Sequence, residues 1–160
     1  MRSMNWNTPV PPWIFAATPE VADEAALGAS SVGCIRVVRL AGASMDRKLR
    51  LLEGFAEAFH FHKPWGTNWD AFDELMADSV VRTDTATLVV ISASDQLLAH
   101  ETNRDDYLTV FLDILRCLGT ELAGRGRGIS RAVSFHVLMA RNEDAVVPRP
   151  LADLPKFSTV

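Results

Sequence analysis

Three short runs rich in β-branched residues, Cys34 to Leu40, Thr87 to Ser92 and Ala132 to Met139, are separated by longer segments with a helical apolar repeat. Thr-Leu-Val-Val-Ile-Ser at 87–92 is nearly continuous in apolar side chains, which suits a strand covered on both faces. After the first run, Met45, Leu49, Leu52, Phe55, Ala56 and Phe59 recur at helical spacing from a start at Ser44 or Asp46. A second helix, capped by Thr67 or Asn68, runs to about Asp78 and turns Trp69, Phe72, Leu75 and Met76 to one side. Thr102 or Asn103 caps the longest helix, and Gly124 to Gly128 ends it. Strand, two helices, strand, helix, strand is the order of a small α/β domain, and right-handed crossovers make its sheet parallel. The expected architecture is three-layer-like, with a mostly parallel sheet of about three strands.

The ends of the chain add less. Trp13-Ile14-Phe15 offers a short N-terminal strand, followed by a helix that Thr18 caps, that Pro19 opens and that stops near Gly28. Pro9, Pro11 and Pro12 block regular pairing, so residues 1–12 read as a flexible leader. Residues 13–140 read as one domain, with 13–32 an extension packed on it, and 141–160 as an irregular tail. At 160 residues a single core is affordable. The formal charge of −4 argues against direct nucleic-acid binding, which needs a basic surface to displace counterions. Cys34 and Cys117 match no metal or redox spacing, and their apolar neighbours suggest reduced core thiols. No run approaches the ~20 apolar residues of a membrane span, and Trp13 to Ala17 is too short for a signal core. The expectation is a cytoplasmic protein, monomeric when free, with no membrane partner, no metal and no cofactor.

Charge is concentrated in one place. Asp70, Asp73, Glu74 and Asp78 lie between Trp69 and Ser79 with no base among them. The rest of the chain balances, so the net charge of the molecule belongs to this window. At 3.6 residues per turn the four acids share one side of the second helix. Asp70 and Glu74 form a like-charge i,i+4 pair, which costs a few tenths of a kcal/mol. A helix that carries such a pair is suited to presenting it to a cation.

The segment around this helix, Phe59 to Ser79, contains Trp65, Gly66, Asn68, Asp70, Ala71 and Phe72 in the order aromatic-Gly-x-Asn-x-Asp-Ala-Phe. It resembles the signature of the barstar family, intracellular protein inhibitors of barnase-type ribonucleases. The order of elements over about residues 33–140 is similar to that family as well. The resemblance implies a barstar-like fold with no enzymatic activity, acting as an immunity protein or antitoxin. It implies that the loop 64–68 and helix 68–78 plug a cationic active site. Asp70 and Glu74 match its central acidic positions. Asn68 matches a loop-closing amide, and Trp65, Gly66, Thr67, Ala71 and Asp73 complete the contact set. Glu74 stands where an aspartate is usual and Asp73 where an aromatic is found, so the implied partner is a basic ribonuclease, barnase-like or another small nuclease.

Other readings compete residue by residue. The acids could be a solvated helix face, with Asp78 a helix stop and Asp73 at a rim. Trp65 could anchor a partner or pack over strand ends, and Trp69 is expected in the core. Clustered carboxylates at Asp70, Asp73 and Glu74 could serve a metal-dependent hydrolase, and the same fold could be a regulatory interaction module without a nuclease partner. His60 and His62 have a spacing used by some metal sites but no third ligand nearby. Gly124-Arg-Gly-Arg-Gly128 follows a helix and precedes a strand, the reverse of a phosphate loop, and reads as a connection.

Overall fold

The structure, a computed structural model, describes residues 4–61, 68–126 and 128–158. Four strands, β1 (Ile14–Ala17), β2 (Ile35–Ala41), β3 (Ala86–Ser92) and β4 (Phe135–Ala140), form one sheet in the order β1-β4-β3-β2. All three pairings are parallel. Among the described residues five helices accompany them: α1 (Pro19–Val32), α2 (Lys48–Ala58), α3 (Trp69–Thr83), α4 (Arg104–Ala123) and α5 (Arg149–Ala152). The α/β class and the parallel sheet are as the sequence pattern predicts, and the N-terminal strand is a full member. β3 is buried along its whole length apart from Ser92, which accounts for its unbroken apolar run.

Alternation along each strand divides the interior in two. One side of the sheet, with Val38, Val89, Ile91, Phe135, Val137 and Met139, meets α2, α3, α4 and α5 in the larger core. The other, with Phe15, Leu88, Val90 and Leu138, meets the alanines of α1. Those alanines, Ala22, Ala25, Ala26 and Ala29, recur at helical spacing and let α1 lie close to the sheet.

Several boundaries differ from the sequence expectation, each for a visible reason. Gly28 sits inside α1, and the helix ends instead at Gly33, whose φ of +79° closes it. α2 begins at Lys48, later than Ser44 or Asp46, because a 3-10 turn at Gly42–Ser44 comes first. A Cβ at Gly42 would collide with the carbonyl oxygens of Ser92 and Ala93, so this turn needs glycine. Lacking a local cap, α2 has its Lys48 N–H satisfied by Glu101 Oε1 at 2.8 Å, from the segment that follows β3. Leu49, placed on the inner stripe by periodicity, is exposed.

Asp78 is not a helix stop. α3 continues to Thr83, because Ser79 and Val80 carry its buried face onward, and Asp84 ends it in the left-handed region. The cysteines are also misplaced by the sequence reading: Cys34 and Cys117 are free thiols on the exposed surface. Cys117 has apolar neighbours in sequence, but the inward stripe of α4 runs through Leu115, Leu118 and Leu122 and leaves it outside.

The two ends pack against the sheet. Trp6 is 5% exposed and its ring meets Phe15, His136 and Phe157 at 5.0–6.2 Å. His136 Nε2 lies 2.9 Å from Val10 O, and Ser134 Oγ donates to Thr8 O at 3.3 Å. At the other end, Ala16 N–H donates to Pro155 O and Phe157 N–H to Ala16 O, both at 2.8 Å, so the tail extends along the outer side of β1. Leu151 and Leu154 enter the larger core.

Candidate functional site

α3 is held on three sides, which fixes what its fourth side presents. Its N-terminus is closed by Asn68, an extended residue whose side chain accepts from Ala71 N–H at 2.8 Å. Its buried side, Phe72, Leu75, Met76 and Val80, enters the larger core, where Phe72 stands edge-on to Phe55 at 5.3 Å. Ser79 Oγ donates to Phe59 O at 2.8 Å and ties the middle of α3 to the end of α2. Asp84 N–H donates to Val80 and Val81 carbonyls at the far end, where Arg131 Nη2 donates to Asp84 O at 2.8 Å.

The remaining side is acidic. Asp70, Glu74 and Asp78 are exposed at successive turns, and no ion pair or side-chain hydrogen bond engages any of the three among the described residues. Asp73 and Ala71 are half-buried beside this line, and Asn68 is exposed at its head. Asp70 lies in the first turn, where the helix dipole favours an acid. The described part of the predicted contact set, Asn68, Asp70, Ala71, Asp73 and Glu74, is therefore gathered on the first two turns of one immobilised helix. Trp65, Gly66 and Thr67 lie outside the described residues, as does His62.

Next to the acids is a feature that local sequence reading missed. Trp69 is half-buried, with its ring edge-on to Phe72 at 6.0 Å and to Tyr107 of α4 at 6.1 Å. Lys48 Nζ sits 5.4 Å from the Trp69 ring centre and 5.5 Å from that of Tyr107. The two rings thus hold a cation at the N-terminal end of the acidic helix. Trp69 belongs to the margin of the core rather than its centre. No spacing rule links Lys48, Trp69 and Tyr107, which come from three different helices.

Chemically the described surface offers carboxylates, with the ammonium of Lys48 held nearby against two rings. Among the described residues no three histidine, cysteine or carboxylate side chains converge in a way that could hold a metal ion. His60 is exposed at φ +53° after the end of α2. No helix is long and apolar enough to cross a membrane among the described residues. What the arrangement can do is bind: fixed carboxylates accept charge-assisted hydrogen bonds from guanidinium, ammonium or imidazolium groups, about twice as strong as neutral ones.

A family model described as Barstar (barnase inhibitor) matches residues 35–145, more than two thirds of the chain. The match opens at β2 and closes just after β4, so β1, α1 and the C-terminal tail lie outside it. A search of curated proteins finds no match.

Proposed function

This chain belongs to the barstar family, and on that premise we propose that it is an intracellular inhibitor of a basic ribonuclease. It acts by binding and carries out no chemistry of its own. The observation that carries the reading is the exposed line of Asp70 and Glu74 on a helix whose other sides are all anchored. A ribonuclease active site gathers cationic side chains to receive phosphates. Carboxylates held at successive turns can occupy the same positions, and they lose little freedom on binding because their helix is already fixed. Complementary fields also speed encounter by roughly 10 to 10³-fold, which matters when a toxic enzyme must be caught early.

In this proposal Asp70 and Glu74 are the dominant contacts, because a few central residues supply most of the affinity of such interfaces. Asn68 and Ala71 position them, and Asp73 lies at the rim. Trp65, Gly66 and Thr67 complete the proposed contact set. Burying carboxylates in an interface costs several kcal/mol unless each finds a partner, so target choice depends on the match of individual charges. The test is RNA cleavage by a small basic ribonuclease of the barnase type, mixed with excess of this protein. Cleavage should cease, and the association rate should fall steeply as salt is raised. A panel of such enzymes that all retain full activity would remove the proposal.

A further inference from the structure

We propose that the cleft at the carboxyl ends of β1 and β4 binds a small organic anion, one phosphate or carboxylate group on an apolar body of a few carbons. In open parallel sheets ligands bind outside the carboxyl ends of two neighbouring strands whose connections leave to opposite faces. This sheet has that arrangement between β1 and β4. β1 exits into α1, which packs with Leu88, Val90 and Leu138 on the smaller-core side. β4 exits toward α5, whose Leu151 is buried in the larger core on the other side.

A cleft of about 180 Å³ opens at that point. Its wall includes Val21 and Phe157, which suit an apolar body, together with the polar side chains of Thr18 and Asn142. Arg141 and Lys156 also line it, against a single acid, Glu143. Arg141 is positioned by Nη2, which donates to Leu151 O at 2.9 Å, while its Nη1 is buried without a hydrogen-bond partner among the described residues. Burial pushes its pKa down, and Asp95 opposes that shift through its field without forming an ion pair with it. The end of α1 adds little by itself: Pro19 has no N–H, Val21 N–H donates to Thr18 Oγ1, and Ala22 N–H to Thr18 O. Attraction for an anion therefore comes from Lys156, which is exposed at the cleft, and from the field of Arg141, whose Nη1 is itself shielded from solvent. Thr18, Val21, Lys156 and Phe157 lie outside the family-matched residues and Arg141, Asn142 and Glu143 within them, so the cleft forms where the flanking segments meet the end of the matched part, away from the acidic helix.

The test is an amide-resolved NMR titration of the full chain with three probes: phenyl phosphate, benzoate and inorganic phosphate. Saturable shifts confined to residues 17–21, 141–143 and 156–158 are expected with phenyl phosphate, benzoate or both, and inorganic phosphate should bind about tenfold or more weakly for want of an apolar body. Which of the two organic probes binds more tightly identifies the acidic group the cleft prefers. Lys156→Glu and Asn142→Asp each add negative charge at an exposed lining position and should weaken the better probe by about tenfold, with unchanged spectra elsewhere. Absence of saturable shifts at probe concentrations on the order of 10 mM, shifts centred elsewhere, or equal affinity in both variants would overturn the site.

Discussion

The two sides of the sheet are built by different means. On the side of α2–α5 the core is filled by large residues that recur along helices, with Phe55, Phe59, Phe72 and Phe111 all fully buried. On the side of α1 the helix supplies alanines, and the bulk comes from the ends of the chain, where Trp6 and Phe157 meet over Phe15. Most of the first side lies within the family-matched residues, joined by Trp13, Ile14, Leu151 and Leu154 from outside them, whereas the helix and the aromatic bulk of the second all come from segments outside the match. The difference teaches where rigidity is needed. The acidic helix stands on the side that is packed like a jigsaw, and the side assembled from the chain ends carries the separate cleft.

Mutations should expose this contrast. The largest expected effect is at Phe72, which joins α3 to Phe55 and Phe111. Phe72→Ala should cost about 3–5 kcal/mol in denaturant unfolding, because the surrounding helices leave little room to collapse into the cavity. On the other side, Trp6→Ala should cost less, about 2 kcal/mol, since it removes burial from an end segment that can detach without breaking the sheet. Faster proteolysis near residues 4–12 should accompany it, and equal losses at the two positions would erase the distinction.

A smaller effect concerns pH. His136 is buried between the rings of Trp6 and Trp13, and burial pushes its pKa below the ordinary 6.5. The unfolded chain then takes up a proton before the folded one does. The sign follows: stability is fully present above about pH 6.5 and declines as the pH falls below it. Unfolding midpoints measured from pH 7.5 downward should show this slope, and His136→Phe should flatten it. A midpoint that rises on acidification would contradict the assignment.

Much of this was legible in the sequence, and the exceptions have physical causes. The β-branched runs at 34–40 and 87–92 locate β2 and β3 to within one residue, the run at 132–139 locates β4 although that strand begins only at Phe135, and Asn68 marks the start of α3 through its capping chemistry. The far end of α3 was misjudged because an acid near a helix C-terminus is unfavourable only in the last turn, and Asp78 is more than a turn from Thr83. Cys117 was misjudged because neighbours in sequence are not neighbours on a helix face. Trp6, Phe157 and the Lys48–Trp69–Tyr107 cluster depend on contacts between distant segments, which no local period encodes. The acidic positions of the candidate site could be read directly, since exposure of Asp70 and Glu74 follows once Phe72, Leu75 and Met76 are placed inward.

In the proposed function Asp70 and Glu74 serve recognition and contribute almost nothing to the fold. Calorimetric titration of a small basic ribonuclease, with the wild-type chain and with the double variant Asp70→Asn, Glu74→Gln, tests it most directly. The account predicts that the variant unfolds within about 0.5 kcal/mol of wild type, as exposed positions do. It also predicts binding weaker by about 100-fold or more, as expected when two central charge partners are removed. Equal affinity in a variant of unchanged stability would contradict it.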